Sequence, residues 1–129
     1  MKLNKEVTLN DIAEEMKNYN VLFFGEEHND SVAHYLENKM LDMLHQKFSN
    51  QTTLSMEMFD RDVQTVMNEY LNGSIREKNF TKDARAWSNY KDYRPMVEFA
   101  RNNKLDIVCA NSPSRYTNLA GRKGQSALR

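Results

Sequence analysis

The residues best equipped for chemistry lie together in Gly25-Glu26-Glu27-His28-Asn29-Asp30, where two carboxylates and an imidazole follow a glycine. Such a set can exchange protons, hold a divalent ion through oxygen and nitrogen donors, or anchor a cofactor. The same residues also suit a plain polar loop in which Asn29 or Asp30 caps a helix. A second acid, Glu57, stands among Leu54, Met56, Met58 and Phe59, where a charge is costly unless it is paired or liganded. Its structural alternative is an ion pair with Arg61 or Arg115. A third polar group, Asn111, Arg115 and Tyr116, follows the apolar run 107–110.

These groups need a scaffold that brings them together, and the hydrophobic pattern suggests one. Residues 9–18 read as a first helix with Asn10 or Asp11 as its cap and Ile12, Ala13 and Met16 on its apolar face. Val21-Leu22-Phe23-Phe24 reads as a strand buried on both faces. Leu36, Met40, Met43, Leu44 and Phe48 then recur at helical spacing behind Asp30. A second strand is expected at 52–57, followed by a helix carrying Phe59, Val63, Val66, Met67, Tyr70 and Leu71 and ending at Gly73. Arg94-Pro95 is expected to open a further helix through Val97, Phe99 and Ala100. A third strand at 106–110 leads to Ser112 as cap and Pro113 at the first helical position.

Strands alternating with helical crossovers predict an α/β fold, a parallel sheet with flanking helices. Parallel strands place their carboxyl ends on one edge, so Glu26, Glu27, His28, Glu57, Asn111, Arg115 and Tyr116 are expected to converge there. Three strands leave an open edge, and the last helical pattern is still running near Arg129. The chain therefore reads as 1–129 of one larger domain, incomplete as it stands, or as one completed by a partner chain.

The remaining polar and aromatic residues fit simpler roles. His34 and His45 fall on one helical face, nearly opposite Leu36 and Leu44, and are expected to be exposed. Neither forms an i,i+4 histidine pair, so there is no zincin-type helix. Cys109 is expected to be a small core residue. Trp87, Tyr90 and Tyr93 suit a core cluster or the wall of a pocket for a flat ligand.

Composition narrows the classes. Lys+Arg and Asp+Glu both number 18 in 129 residues, which gives no basic field for gripping phosphate backbones and disfavours nucleic-acid binding. One cysteine excludes an internal disulfide or a cysteine-rich zinc site. No apolar run approaches the length of a bilayer span, and the start has no apolar signal region, so the chain as written reads as cytoplasmic.

Four blocks carry a resemblance. Leu22-Phe23-Phe24-Gly25-Glu26-Glu27-His28, the run from Ser55 to Gln64 that contains Glu57, Trp87-x-x-Tyr90-x-x-Tyr93-Arg94-Pro95, and Ala110-Asn111-Ser112-Pro113-Ser114-Arg115-Tyr116 resemble the ChaN-like haem-binding uptake family, in family order over residues 15–125. The resemblance implies an α/β domain of bacterial iron-regulated proteins. It also implies a homodimer with haem between subunits and a tyrosine as iron ligand. On this basis Tyr116 is the candidate iron ligand, beside Arg115, which could hold a propionate. His28, Glu57, Asn111, Trp87 and Tyr93 complete the candidate cofactor-binding set. Without the resemblance, Tyr116 reads as a core tyrosine bonded to Glu57.

The wider superfamily, with the Tiki-type metalloproteases and the erythromycin esterases, shares Gly-x-x-His after the first strand and a later glutamate. Gly25-x-x-His28 and Glu57 match these positions. The alternative function is thus a metal-dependent hydrolase using Glu26, Glu27, His28 and Glu57, with a divalent ion as cofactor. The first reading, a haem-binding protein without chemistry of its own, is not an enzyme. Family members are often exported or membrane-anchored.

Overall fold

The computed structural model describes residues 6–128, with the side chain of Asn50 left aside. The expectation that 1–5 lack a signal region, and the final Arg129, lie outside the described residues. The architecture is α/β: a two-stranded parallel sheet with six α-helices among the described residues. The chain divides into two compact units, one ending at Thr52 and the other beginning at Thr53.

In the first unit α1 (Leu9–Glu15) is capped by Thr8, whose hydroxyl accepts from the Asp11 N–H while the Asp11 carboxylate accepts from the Thr8 N–H. The cap is thus Thr8, and Asp11 is its reciprocal partner three residues on, which the choice of Asn10 or Asp11 missed. A 3₁₀ turn over Met16–Asn18 extends the helix. The second helix, α2 (Ser31–Phe48), is capped by Asp30, which accepts from the Val32 N–H at 2.8 Å, as expected. Met40 and Leu41 are its buried apolar residues, and α1 packs against it through Ala13.

Val21-Leu22-Phe23-Phe24 does not form the expected strand. A strand needs the backbone of a neighbour for its ladder, and the first unit contains no other strand among the described residues. Phe23 is 92% exposed, and Leu22, Phe23, Phe24 and Gly25 border an open apolar groove of about 260 Å³ with Ile12 and Met40.

The second unit carries both strands, β1 (Leu54–Asp60) and β2 (Ile107–Asn111). They run parallel with Leu54 opposite Ile107 and Met56 opposite Cys109, and after an irregularity Asp60 faces Asn111. On β1, Met56 and Met58 are buried while Ser55 and Glu57 are exposed, the alternation of a one-sided strand. Gln64 stands beside β2 like a short piece of extra backbone. Its amide N–H donates to the Ile107 carbonyl at 2.7 Å and its oxygen accepts from the Cys109 N–H at 2.9 Å. Two groups of a sheet edge are thereby satisfied.

A 3₁₀ turn over Arg61–Val63 leads into α3 (Gln64–Leu71), and Gly73, at φ +76°, ends this stretch in the left-handed region where glycine is favoured. Two helices follow, α4 (Glu77–Asp83) and α5 (Tyr90–Asn103). Pro95 lies inside α5 and does not open it. The start at Tyr90 is held by Arg94, which makes a two-point pair with Glu77 of α4, and by the Tyr90 hydroxyl, which donates to Glu77 at 3.3 Å.

The core of this unit is aromatic. Phe80 stacks on Tyr70 with ring centroids 4.3 Å apart and meets Phe59 at 5.5 Å, and all three are at most 1% exposed. Burying each phenylalanine is worth on the order of 3 kcal/mol. Cys109 is fully buried, as expected, and burial pushes its thiol up to about 11. The last helix, α6 (Ser114–Lys123), has Pro113 at the capping position, one residue after the expected Ser112, and ends at Gly124. No helix among the described residues is long and apolar enough to cross a membrane.

Candidate functional site

Two polar clusters stand out, one in each unit. The first is built by the loop of residues 25–30 turning onto the first turns of α2. The Asp30 N–H donates to the Glu27 carbonyl at 2.8 Å, which closes the loop and sets the start of the helix. His34 then lies one turn into α2 with its Nε2 at 3.1 Å from the His28 carbonyl, which accepts from it. Its Nδ1 is 2.8 Å from Glu26 Oε2 and 3.4 Å from Glu37 Oε2. His28 Nδ1 meets the other oxygen of Glu26 at 2.9 Å. The ligand atoms of Glu26, His34 and Glu37 all fall within 4.8 Å of one another.

His34 is 4% exposed, so the expectation that it faces solvent is overturned. Wheel geometry located the apolar stripe of α2 but could not include a loop folding over the opposite side of its first turn. His45 is half-buried, with Nδ1 3.3 Å from the Ser49 carbonyl near the end of α2. Burial alone would depress the His34 pKa, yet the hydrogen bond to the His28 carbonyl and the carboxylates of Glu37 and Glu26 outweigh it, and the pKa is raised. The Glu37 carboxyl is also raised, by burial first and by the charge of Glu26 second, with His34 opposing. Glu27 and the ring of His28 are exposed.

The second cluster lies at the carboxyl end of the parallel pair. Asp60 closes β1 opposite Asn111, which closes β2, and Asp62 follows in the next turn. Arg85, itself at φ +53°, reaches Asp60 at 3.0 Å and also Asp62. Arg115 pairs with Asp62 as well and lays its guanidinium over the ring of Tyr116, 4.6 Å from the centroid. Hydrogen bonds from Arg115 and then Arg85 hold the Asp62 carboxyl below its usual range. Tyr116 is 45% exposed in the first turn of α6, so it is not the core tyrosine of the alternative reading.

Glu57 differs from its expected setting. It is exposed on the open face of β1, away from Met56 and Met58, so its burial among apolar neighbours is not observed. Neither suggested arginine pairs with it, since Arg115 goes to Asp62 and Arg61 to Gln64. Tyr93 is buried with its ring edge-on to half-buried Trp87 at 6.3 Å, a core contact. Among the predicted residues, Asn111, Arg115 and Tyr116 share one end of the second unit, while Glu26 and His28 meet in the first.

Sequence reasoning missed His34, Glu37, Asp60, Asp62 and Arg85. A signal existed for one pair: His34 and Glu37 are three apart on a helix whose start is marked by Asp30. Nothing local announces Arg85, which reaches across 25 and 23 residues to its acids.

Comparison with curated proteins and with solved structures finds no match. A family profile described as haem-binding uptake, Tiki superfamily, ChaN, matches residues 12–129. That span holds the loop around His28, both strands and the Asn111-to-Tyr116 turn, and the chain therefore belongs to the ChaN haem-binding uptake family of the Tiki superfamily.

Proposed function

We propose that this protein binds haem as cargo in a bacterial iron-uptake system, with Tyr116 as the iron ligand. The observation that carries the reading is the exposed phenol of Tyr116 at the carboxyl end of the sheet, with the Arg115 guanidinium over its ring. A phenolate is a hard oxygen donor suited to ferric iron, and a guanidinium suits a propionate through paired hydrogen bonds. Arg115, its side chain 57% exposed, is held by the partly covered carboxylate of Asp62, an ion pair weak enough in water to be exchanged for one with the ligand. Asn111 stands at the same end with a side-chain amide to offer. A paired arrangement of two chains, which would cover both faces of a porphyrin, belongs to the same proposal.

The test is haemin titration of the intact chain. A shifted Soret band with the phenolate-to-iron charge-transfer band of a high-spin ferric complex is expected, and Tyr116→Phe, which removes one oxygen, should abolish the latter. Tyr90→Phe and Tyr93→Phe should leave the spectrum unchanged, because those rings belong to internal contacts. No Soret shift with wild-type protein would overturn the function, and an unchanged spectrum with Tyr116→Phe would overturn the ligand. Gel filtration with and without haemin tests the pairing.

A further inference from the structure

The buried histidine of the first unit has no part in the haem reading, yet its surroundings are those of a metal ligand. We propose that Glu26, His34 and Glu37 form a binding site for one divalent first-row metal ion. Their ligand atoms already lie within 4.8 Å of one another, and the Nδ1-to-carboxylate separations of 2.8 and 3.4 Å bracket the spacing of adjacent ligands on one ion. That spacing is about 3.0 Å at right angles and about 3.4 Å at the tetrahedral angle for metal–ligand bonds of about 2.1 Å.

The support around the site has the expected form. A metal-bound imidazole donates its other ring N–H to a carbonyl or carboxylate, which fixes its tautomer and orientation. His34 does this through Nε2 to the His28 carbonyl, leaving Nδ1 directed at the two acids. Glu26 is braced on its second oxygen by His28 Nδ1 at 2.9 Å, so His28 positions a ligand and is not one itself. Only 14% and 12% of the Glu26 and Glu37 side chains are exposed.

Charge balance points the same way. Two carboxylates held beside a buried imidazole carry two negative charges, and a proton on His34 neutralises one of them. A divalent ion neutralises both, which matters where water is largely excluded. One nitrogen and two carboxylate donors suit Mn²⁺, Fe²⁺ or Zn²⁺ better than a soft ion such as Cu(I). The set draws on His34 and Glu37, which the Gly25-x-x-His28 pattern does not include.

The experiment titrates chelator-treated full-length protein with Mn²⁺, followed by electron paramagnetic resonance, and with Zn²⁺ by calorimetry. One ion per chain is expected, with affinity lowered at least tenfold in Glu37→Gln and in His34→Gln and unchanged in His45→Gln. Far-UV circular dichroism checks that the helices persist. Should His34→Gln unfold, Glu37→Gln and the broadening of the His34 ring signals by Mn²⁺ in wild-type protein decide the matter. Absence of stoichiometric binding would overturn the site and leave His34 as a buried histidine hydrogen-bonded between two acids. Binding untouched by Glu37→Gln, or no broadening at His34, would overturn it equally.

Discussion

The two ionic clusters both pair carboxylates with a nitrogen base, and they differ most in how far water reaches that base. In the first unit, one imidazole and two carboxylates are packed with little water around a residue only 4% exposed. In the second, two aspartates and two arginines balance charge for charge, with the aspartates partly covered and the arginine side chains 53% and 57% exposed. Water screens the second set, so its pairs are cheap to break and re-form, which suits a ligand-exchanging edge. The first set has no such relief. Removing or replacing one member leaves charge stranded, which makes the arrangement costly to break.

The sharpest way to break this comparison is His34→Ala. Stranding Glu26 and Glu37 without the imidazole should cost about 3 kcal/mol of stability, read from urea unfolding of chelator-treated protein. A loss below about 1 kcal/mol would place the cluster with ordinary surface pairs. Tyr116→Phe should come next, lowering haemin affinity at least tenfold, or about 1.4 kcal/mol, while the urea midpoint stays the same. A shifted midpoint would mean that Tyr116 supports the fold instead of an exposed edge.

Arg85→Ala should then cost less than about 1 kcal/mol, and high salt should mimic much of its effect. If it destabilises as strongly as His34→Ala, the second cluster is not the yielding one. The smallest expected effect is on pH. Asp62 has a folded pKa below its unfolded value, so its contribution is present above the unfolded value near 3.8 and is lost as pH falls through the lower, folded one. Because its arginine partners are open to solvent, the acid-side slope should be shallow and should disappear in Asp62→Asn. A steep slope in wild type that survives in Asp62→Asn would assign the acid sensitivity elsewhere.

Legibility followed range. The cap of α2, the start of α6 to within one residue, the presence of both strands of the sheet and the burial of Cys109 could be read because each depends on neighbours a few residues away. Pro95 misled for a related reason. Proline in a first turn is a good start signal, but here the helix already begins at Tyr90, in a turn that the Glu77–Arg94 pair ties to another helix.

The sequence by itself determined the α/β alternation, the helix starts at Thr8 and Asp30 to within a few residues, the grouping of Asn111, Arg115 and Tyr116, and the family through motifs spread along the chain. These rest on hydrophobic period, local hydrogen bonding and side-chain identity, all contained in short windows. Only the tertiary structure decided that His34 is buried and Glu57 exposed, that Val21-Leu22-Phe23-Phe24 carries no ladder, and that Arg85 joins Asp60 and Asp62. Each depends on which distant backbone or loop supplies the other half of a contact. Burial and pairing are properties of two segments at once, and no single segment encodes its partner's position.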